Sequence, residues 1–393
     1  MMFDVTKKLQ CFYKKHKSEM QALVTGQMPS FVYGRKEFKD IPVFCFHSAQ
    51  YPLFEQQLQF LNDNGYRTLS ADELYERFID KDYKNDGKEI VITFDDGMSS
   101  VWTVAYPLLK KYKHKIVSFI LPSLIKEGEF AGQTIDDVGC EDEKKALTKR
   151  DRGKDSLCNW QEIKIMHESG VVDFQSHGMV HSLISTSLEI VDFVSPSFDE
   201  NCYGNVHIPV YQNKAGKNTR AKVLGHPVYQ SASRFTGEPR YFDPVELRTA
   251  CAGYVVDNGG ENFFHKCDWK RQLQQIALEY QKHIKENTFE TRRQVERKIV
   301  NEVRASKLEI ESKLNKSVRH FCFPWFVGSV VGLAALESEG YLSAYMGETN
   351  GSAQKPSAMK LQLTNRVQEE YLFALPGKGS HSLLQVLKTK IRS

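Results

Sequence analysis

The sequence has 393 residues, 41% hydrophobic and 26% charged, and a formal net charge of +4 from 53 basic and 49 acidic side chains. This balance predicts a folded chain with a sizeable core and excludes a disordered or low-complexity one. The basic excess is small and no basic block is interleaved with aromatic residues, so nucleic acid is excluded as an expected partner.

The opening segment, MMFDVTKKLQCFYKKHKSEM, lacks the apolar run of a signal peptide. Apolar stretches elsewhere fall far short of the roughly 20 residues of a membrane span. The expected location is cytoplasmic. Residues 1–40 read as an N-terminal arm, expected to form a surface helix; contact with the inner face of a membrane is the alternative. Eight cysteines are present without a CxxC pair. They are expected to be reduced thiols, with Cys45 and Cys322 in apolar runs, and not a structural zinc site.

Residues 41–46 (IPVFCF) read as a buried strand with His47 at its carboxyl end. Phe54, Leu58 and Leu61 share a helical face that Gly65 ends. Ser70 and Glu73 carry the signature of a capping box. Residues 89–94 (EIVITF) predict a second strand running into Asp95-Asp96-Gly97. A helix over 102–113 and a strand over 116–121 follow. Residues 126–158 read as a surface excursion, 160–168 as a helix, and 171–175 as a strand that ends at His177.

The pattern then breaks. An irregular insert with weak strand signals is followed, over 264–318, by long charged segments with an apolar stripe through Val295, Ile299, Val303, Leu308 and Leu314. Strand signals return at 319–323 and 341–345, with a helix between. The apolar run 369–375 reads as the last strand, and a terminal helix starts near Ser382. Four segments result: the arm, 41–190, an insert over 191–317, and 318–393. Strands alternating with helices predict an α/β fold with a largely parallel sheet or barrel, whose ligands meet the carboxyl ends of the strands.

The conspicuous polar residues fall at those ends. Asp95 and Asp96 leave one strand in different directions, so one carboxylate can bind a cation while its neighbour faces a water. His177 and His181 are four apart, a spacing that converges on one side of a helical turn. With Asp96 they form a His-His-Asp set suited to one zinc or another borderline divalent metal. Such a metal polarises an amide and activates water. Asp95 is then the expected base, and His47 the expected acid for the leaving amine. His381, or Asp95 returning its proton, are the alternatives for the acid. Backbone N–H groups near Trp325 and Phe326 are expected oxyanion donors, Trp325 a surface for a sugar, and Asp173 a partner that orients a histidine.

These motifs resemble the NodB-type polysaccharide deacetylases, carbohydrate esterase family 4. The resemblance rests on Thr93-Phe94-Asp95-Asp96-Gly97, on Ser176-His177-Gly178-Met179-Val180-His181-Ser182, and on Phe321-Cys322-Phe323-Pro324-Trp325. It covers about 40–182 and 318–376. It implies a distorted (β/α) barrel with a long insertion, with Asp95 as base and Asp96, His177 and His181 as metal ligands. Many members place an arginine against the catalytic aspartate from the third motif. Cys322 stands there, and Arg319 is the nearest substitute. The family's C-terminal leucine-histidine motif has only His381 as a loose counterpart.

The implied reaction removes an N-acetyl group from an amino sugar in surface polysaccharide or glycolipid biosynthesis. The expected substrate is an N-acylated sugar, nucleotide- or lipid-linked. A sugar N-deformylase and a catalytically silent carbohydrate-binding protein are the alternatives. Homo-oligomerisation through the long helices is left open.

Overall fold

The computed structural model describes residues 17–35, 40–153, 155–181, 183–198, 211–212, 218–219, 223–282, 289–347 and 356–392. Residues 1–16, Ser182, Cys11 and Cys202 lie outside the described residues. The chain forms two compact units: Met1–Val180 with Glu302–Ser393, and His181–Asn301. The second unit starts and ends earlier than the insert expected over 191–317.

The first unit opens with α1 (Lys17–Thr25). In its described part, the segment expected as a surface helix is packed: Ala22, Leu23, Met28, Phe31 and Val32 are buried, and Glu19 binds Tyr371 and Lys390. These five side chains belong to this unit's own core, while Val24 is exposed. β1 (Val43–Phe46), α2 (Leu53–Asp63), β2 (Arg67–Thr68) and α3 (Ala71–Ile79) follow. Ser70 and Glu73 make the expected reciprocal cap. β3 (Glu89–Asp96) is buried at every position. The expected helix after it is a π turn over Val101–Ala105 leading into α4 (Tyr106–Tyr112). Then come β4 (Ile116–Ile120), α5 (Glu141–Leu147), α6 (Trp160–Glu168) and β5 (Val172–Ser176).

The second unit holds β6 (Leu183–Phe193), the short pair β7 (Tyr211–Gln212) and β8 (Asn218–Thr219), β9 (Pro227–Ser233), α7 (Val245–Asp257) and α8 (Trp269–Gln281). β6 and β9 pair antiparallel with register shifts. These shifts, with the insert's scattered glycines and prolines, left only weak alternation to read. The unit buries Phe193, Tyr229, Tyr241, Leu247, Cys251 and Phe263 among others in its own core. Arg234 and Glu290 pair beneath its surface. α9 (Arg292–Leu314) is a long helix, as the stripe predicted; Val295, Ile299, Val303 and Leu314 are buried, whereas Leu308 of the same stripe is exposed.

The first unit resumes with β10 (His320–Cys322), α10 (Val330–Ser338), β11 (Ser343–Met346), β12 (Gln362–Asn365), β13 (Val367–Gln368) and α11 (Leu383–Arg392). The strand expected over 369–375 is a short 3₁₀ helix, Glu369–Ala374, which buries Tyr371, Leu372 and Ala374. A short apolar run fits either element, and here the real strands precede it. Among the described residues no helix is long and apolar enough to cross a membrane.

The sheet runs β12-β11-β10-β5-β4-β3-β1-β13, with β2 on β3, and every pairing in it is parallel. The first and last strands of this order, β12 and β13, are separated in sequence by Arg366 alone. One residue can join the two ends only if the sheet curls nearly shut, so the fold is a nearly closed parallel barrel with added elements. The near-continuous apolar strands fit a parallel sheet covered on both faces.

Candidate metal centre

The carboxyl ends of β1, β3, β5, β10 and β12 carry, in turn, His47, Asp95 with Asp96, His177, the 324–326 turn, and Arg366. Asp96 adopts a left-handed backbone, φ 71°, and Gly97 follows at φ 75°. Gly97 is required twice over: its backbone disfavours a side chain, and an added Cβ would lie 3.0 Å from Ile120. His181 (φ 50°), Trp325 (φ 62°) and Phe326 (φ 60°) share this uncommon conformation. Backbone strain of this kind gathers at functional sites, at about 1–3 kcal/mol per residue.

His177 is buried, and its Nδ1 lies 2.8 Å from the Cys322 carbonyl. A carbonyl can only accept, so Nδ1 carries the proton and Nε2 presents its lone pair. That Nε2 is 3.5 Å from Asp96 Oδ1 and 4.0 Å from Asp95 Oδ2. The donor atoms of Asp96, His177 and His181 all lie within 4.8 Å of one another, and all three residues are buried.

The two histidines do not converge on a helical turn as their spacing suggested. Residues 177–181 form a bent loop, with Gly178 at φ 84°. Ser176 Oγ accepts from the Gly178 N–H, Ser306 of α9 donates to the Gly178 carbonyl, and Ser123 donates to the Met179 carbonyl.

A buried carboxylate and two buried imidazoles fit a divalent cation and leave coordination positions for further ligands. Two more groups lie within the same span, Cys45–His47–Asp95 and Asp95–His177–Cys322. They are poorer cation sites. Burial pushes both thiols far up, so they stay protonated. Asp95 is already engaged: Arg366 Nη1 donates to Oδ1 at 2.6 Å and Nη2 to Oδ2 at 2.8 Å.

Burial alone would raise the Asp95 carboxyl, but the Arg366 guanidinium outweighs it and holds the group well below the usual carboxylate range. Arg366 also donates to Thr93 Oγ1, and its guanidinium lies 5.1 Å from the Phe326 ring centroid. Sequence reasoning missed Arg366. Arg319, the expected substitute, bonds Asp72 instead, because β10 directs it toward the N-terminus of α3.

Asp173 does not orient a histidine. It pairs with Lys316 and accepts from Gln175 and the Ala71 N–H, and the main chain of Cys322 holds His177 in its place. His381 packs on Phe373, which meets Phe60 of α2 edge to face, and belongs to no metal-ligand group among the described residues. Phe326 is not an oxyanion donor: its N–H bonds the Phe323 carbonyl, closing the turn. Its ring lies 6.2 Å from that of His47. Trp325 is half-buried. His47 is exposed at the barrel mouth, with a ring nitrogen within 4.8 Å of an Asp95 oxygen.

Residues 82–192 match the family model described as polysaccharide deacetylase. The Bacillus subtilis protein YxkH is 41% identical over 68 residues, 17% of this chain and 24% of that one. A poly-β-1,6-N-acetyl-D-glucosamine N-deacetylase of Staphylococcus aureus is 26% identical over 153 residues, 38% of this chain and 42% of that one. The matches thus span less than half the length of these curated relatives. Among solved structures, a de-N-acetylase from Aggregatibacter actinomycetemcomitans aligns at a TM-score of 0.46 and 16% identity, over 89% of this chain and 99% of that one.

Proposed function

We propose that this chain, a NodB-type polysaccharide deacetylase by its match over residues 82–192, hydrolyses the N-acetyl amide of an amino sugar with one zinc ion held by Asp96, His177 and His181. The observation that carries this reading is the division of labour between adjacent carboxylates. Asp96 groups with two imidazoles, while Asp95 is locked by Arg366 and kept ionised.

A divalent cation at this donor set supplies Lewis acidity toward the amide carbonyl and a lowered pKa for water. The chain's own residues do the rest. Asp95, as a carboxylate, takes the proton of the attacking water. Arg366 fixes its plane through two parallel hydrogen bonds. His47, at the same mouth, delivers a proton to the departing amine. Phe326 packs over Arg366 and beside His47, keeping water from the ion pair.

The substrate for which the Staphylococcus aureus relative is named supports N-acetyl-D-glucosamine as the sugar. Free oligomers and nucleotide- or lipid-linked forms are the substrates to compare. Release of acetate by the metal-loaded protein is expected, and its loss on chelation. Formate release would instead mark a deformylase, and binding of the sugar without hydrolysis a silent binder. Metal analysis should give about one zinc per chain. His177→Ala and His181→Ala should each abolish that stoichiometry; full retention by either would remove it from the ligand set.

A further inference from the structure

The sequence predicts a surface excursion over residues 126–158. Its return limb instead lies against the residues that follow the paired aspartates. The Ser99 N–H donates to the Ser156 carbonyl at 2.7 Å, and the Cys158 N–H to the Gly97 carbonyl at 2.9 Å. Within this limb, a 3₁₀ turn over Thr148–Arg152 carries Asp151. Arg150 anchors the turn through a bidentate pair with buried Glu162 of α6, at 2.7 and 3.0 Å.

The Asp151 carboxylate accepts three hydrogen bonds from two different strand ends. Ser48 Oγ donates to Oδ2 at 2.6 Å; Ser99 Oγ and the Ser100 N–H both donate to Oδ1 at 2.7 Å. A fourth contact ties the same loops directly, from the Ala49 N–H to Ser100 Oγ at 2.9 Å. Ser48 is the neighbour of His47. Ser99 and Ser100 lie just past Asp95, Asp96 and Gly97.

We propose that Asp151 is a positioning residue that sets the distance between His47 and Asp95 by clamping the loop after β1 to the loop after β3. Hydrogen bonds to an ionised acceptor are short and directional, so one carboxylate with three donors fixes two loops more tightly than neutral side chains would. His47 needs this support because its ring is exposed, whereas Asp95 is already held by Arg366. The proposal rests on the acid and base roles given above to His47 and Asp95.

Its test is a double-mutant cycle on the full chain, loaded with zinc. Asp151→Ala should lower kcat by about ten- to a hundredfold, the scale of a small misplacement of a reacting group, with KM and metal content unchanged. In a His47→Ala background the same substitution should add little further loss, since the group it positions is already gone. Spectra of ¹⁵N-labelled histidine should show the His47 ring signals displaced and broadened in Asp151→Ala, with those of His177 and His181 retained. Ser48→Ala cuts the clamp only on the His47 side and should act in the same direction, which keeps the idea exposed if Asp151→Ala fails to fold.

Additive losses in the cycle, or unchanged His47 signals in a folded variant, overturn the proposal. If the wild-type protein released no acetate from any N-acetylated sugar, the functional reading would fail, and the histidine spectra alone would decide the clamp.

Discussion

Replacing Arg366 with methionine is expected to lower turnover at neutral pH by about a hundredfold or more, within the range lost when a general base is disabled. It should also move the acidic limb of the pH–rate profile to higher pH. Burial is the largest influence on Asp95 and acts to raise its pKa; the Arg366 guanidinium is the largest one opposing it. Without the cation, the buried carboxyl shifts upward and holds its proton where the native group has lost it. Fewer molecules then carry a base at any given pH.

Stability should follow the same sign. In the native protein the folded pKa of Asp95 is depressed. Its contribution is therefore fully present above the unfolded value, near 4 for an aspartate, and is lost as pH falls through the folded pKa. In Arg366→Met the folded pKa is raised, so stability declines as pH rises from the unfolded value toward the new one. The deficit against wild type should thus widen with pH. It should approach about 3–5 kcal/mol, the cost of stranding one member of a buried pair. Urea unfolding at pH 5 and pH 8 measures it, and an equal deficit at both would mean that Asp95 is not the group responsible. Arg366→Lys should rescue only in part, because an ammonium cannot make the parallel pair of bonds.

The different fates of Arg366 and the metal ligands show which parts of this site a sequence can display. Asp95, Asp96 and His177 directly follow or end buried apolar strands, and that local contrast marks them. His181 lies four residues on, and its spacing was legible although the helical turn inferred from it is a bent loop. Arg366 has no such marking. It stands between strands of four and two residues, too short to give an alternation, and it meets Asp95 only because the sheet curls until its ends adjoin. The expected strand at 369–375 moved the sheet's end past it. The remaining signal was chemical: a buried aspartate in a barrel needs a cation, and the choice went to Arg319 because it lay nearer in sequence. The support of His177 was hidden for another reason. It comes from the main-chain carbonyl of Cys322, and a backbone group has no residue type to read. Ser306, which steadies the loop of the second motif, sits in a long charged helix where a lone serine carries no pattern.

Asp95→Asn separates the base from the cation site. Asp96, His177 and His181 remain, so metal content should stay at its wild-type level while turnover falls by about a thousandfold or more, within the range assigned to general base catalysis. Loss of the ion in this variant would place Asp95 among the ligands and undo the division of roles between the two carboxylates. The variant should also be less stable, since the amide's NH₂ group would face a guanidinium that can only donate, leaving Arg366 buried without its counter-charge. Adding Arg366→Met to Asp95→Asn removes that stranded cation. The double variant should therefore be more stable than Asp95→Asn alone, because discarding both members of a buried pair is far milder than discarding one. Its turnover should not recover, as no carboxylate is left to accept the proton of the attacking water. Stability regained without activity, at constant metal content, would show that Asp95 and Arg366 form one structural unit whose catalytic half is the carboxylate.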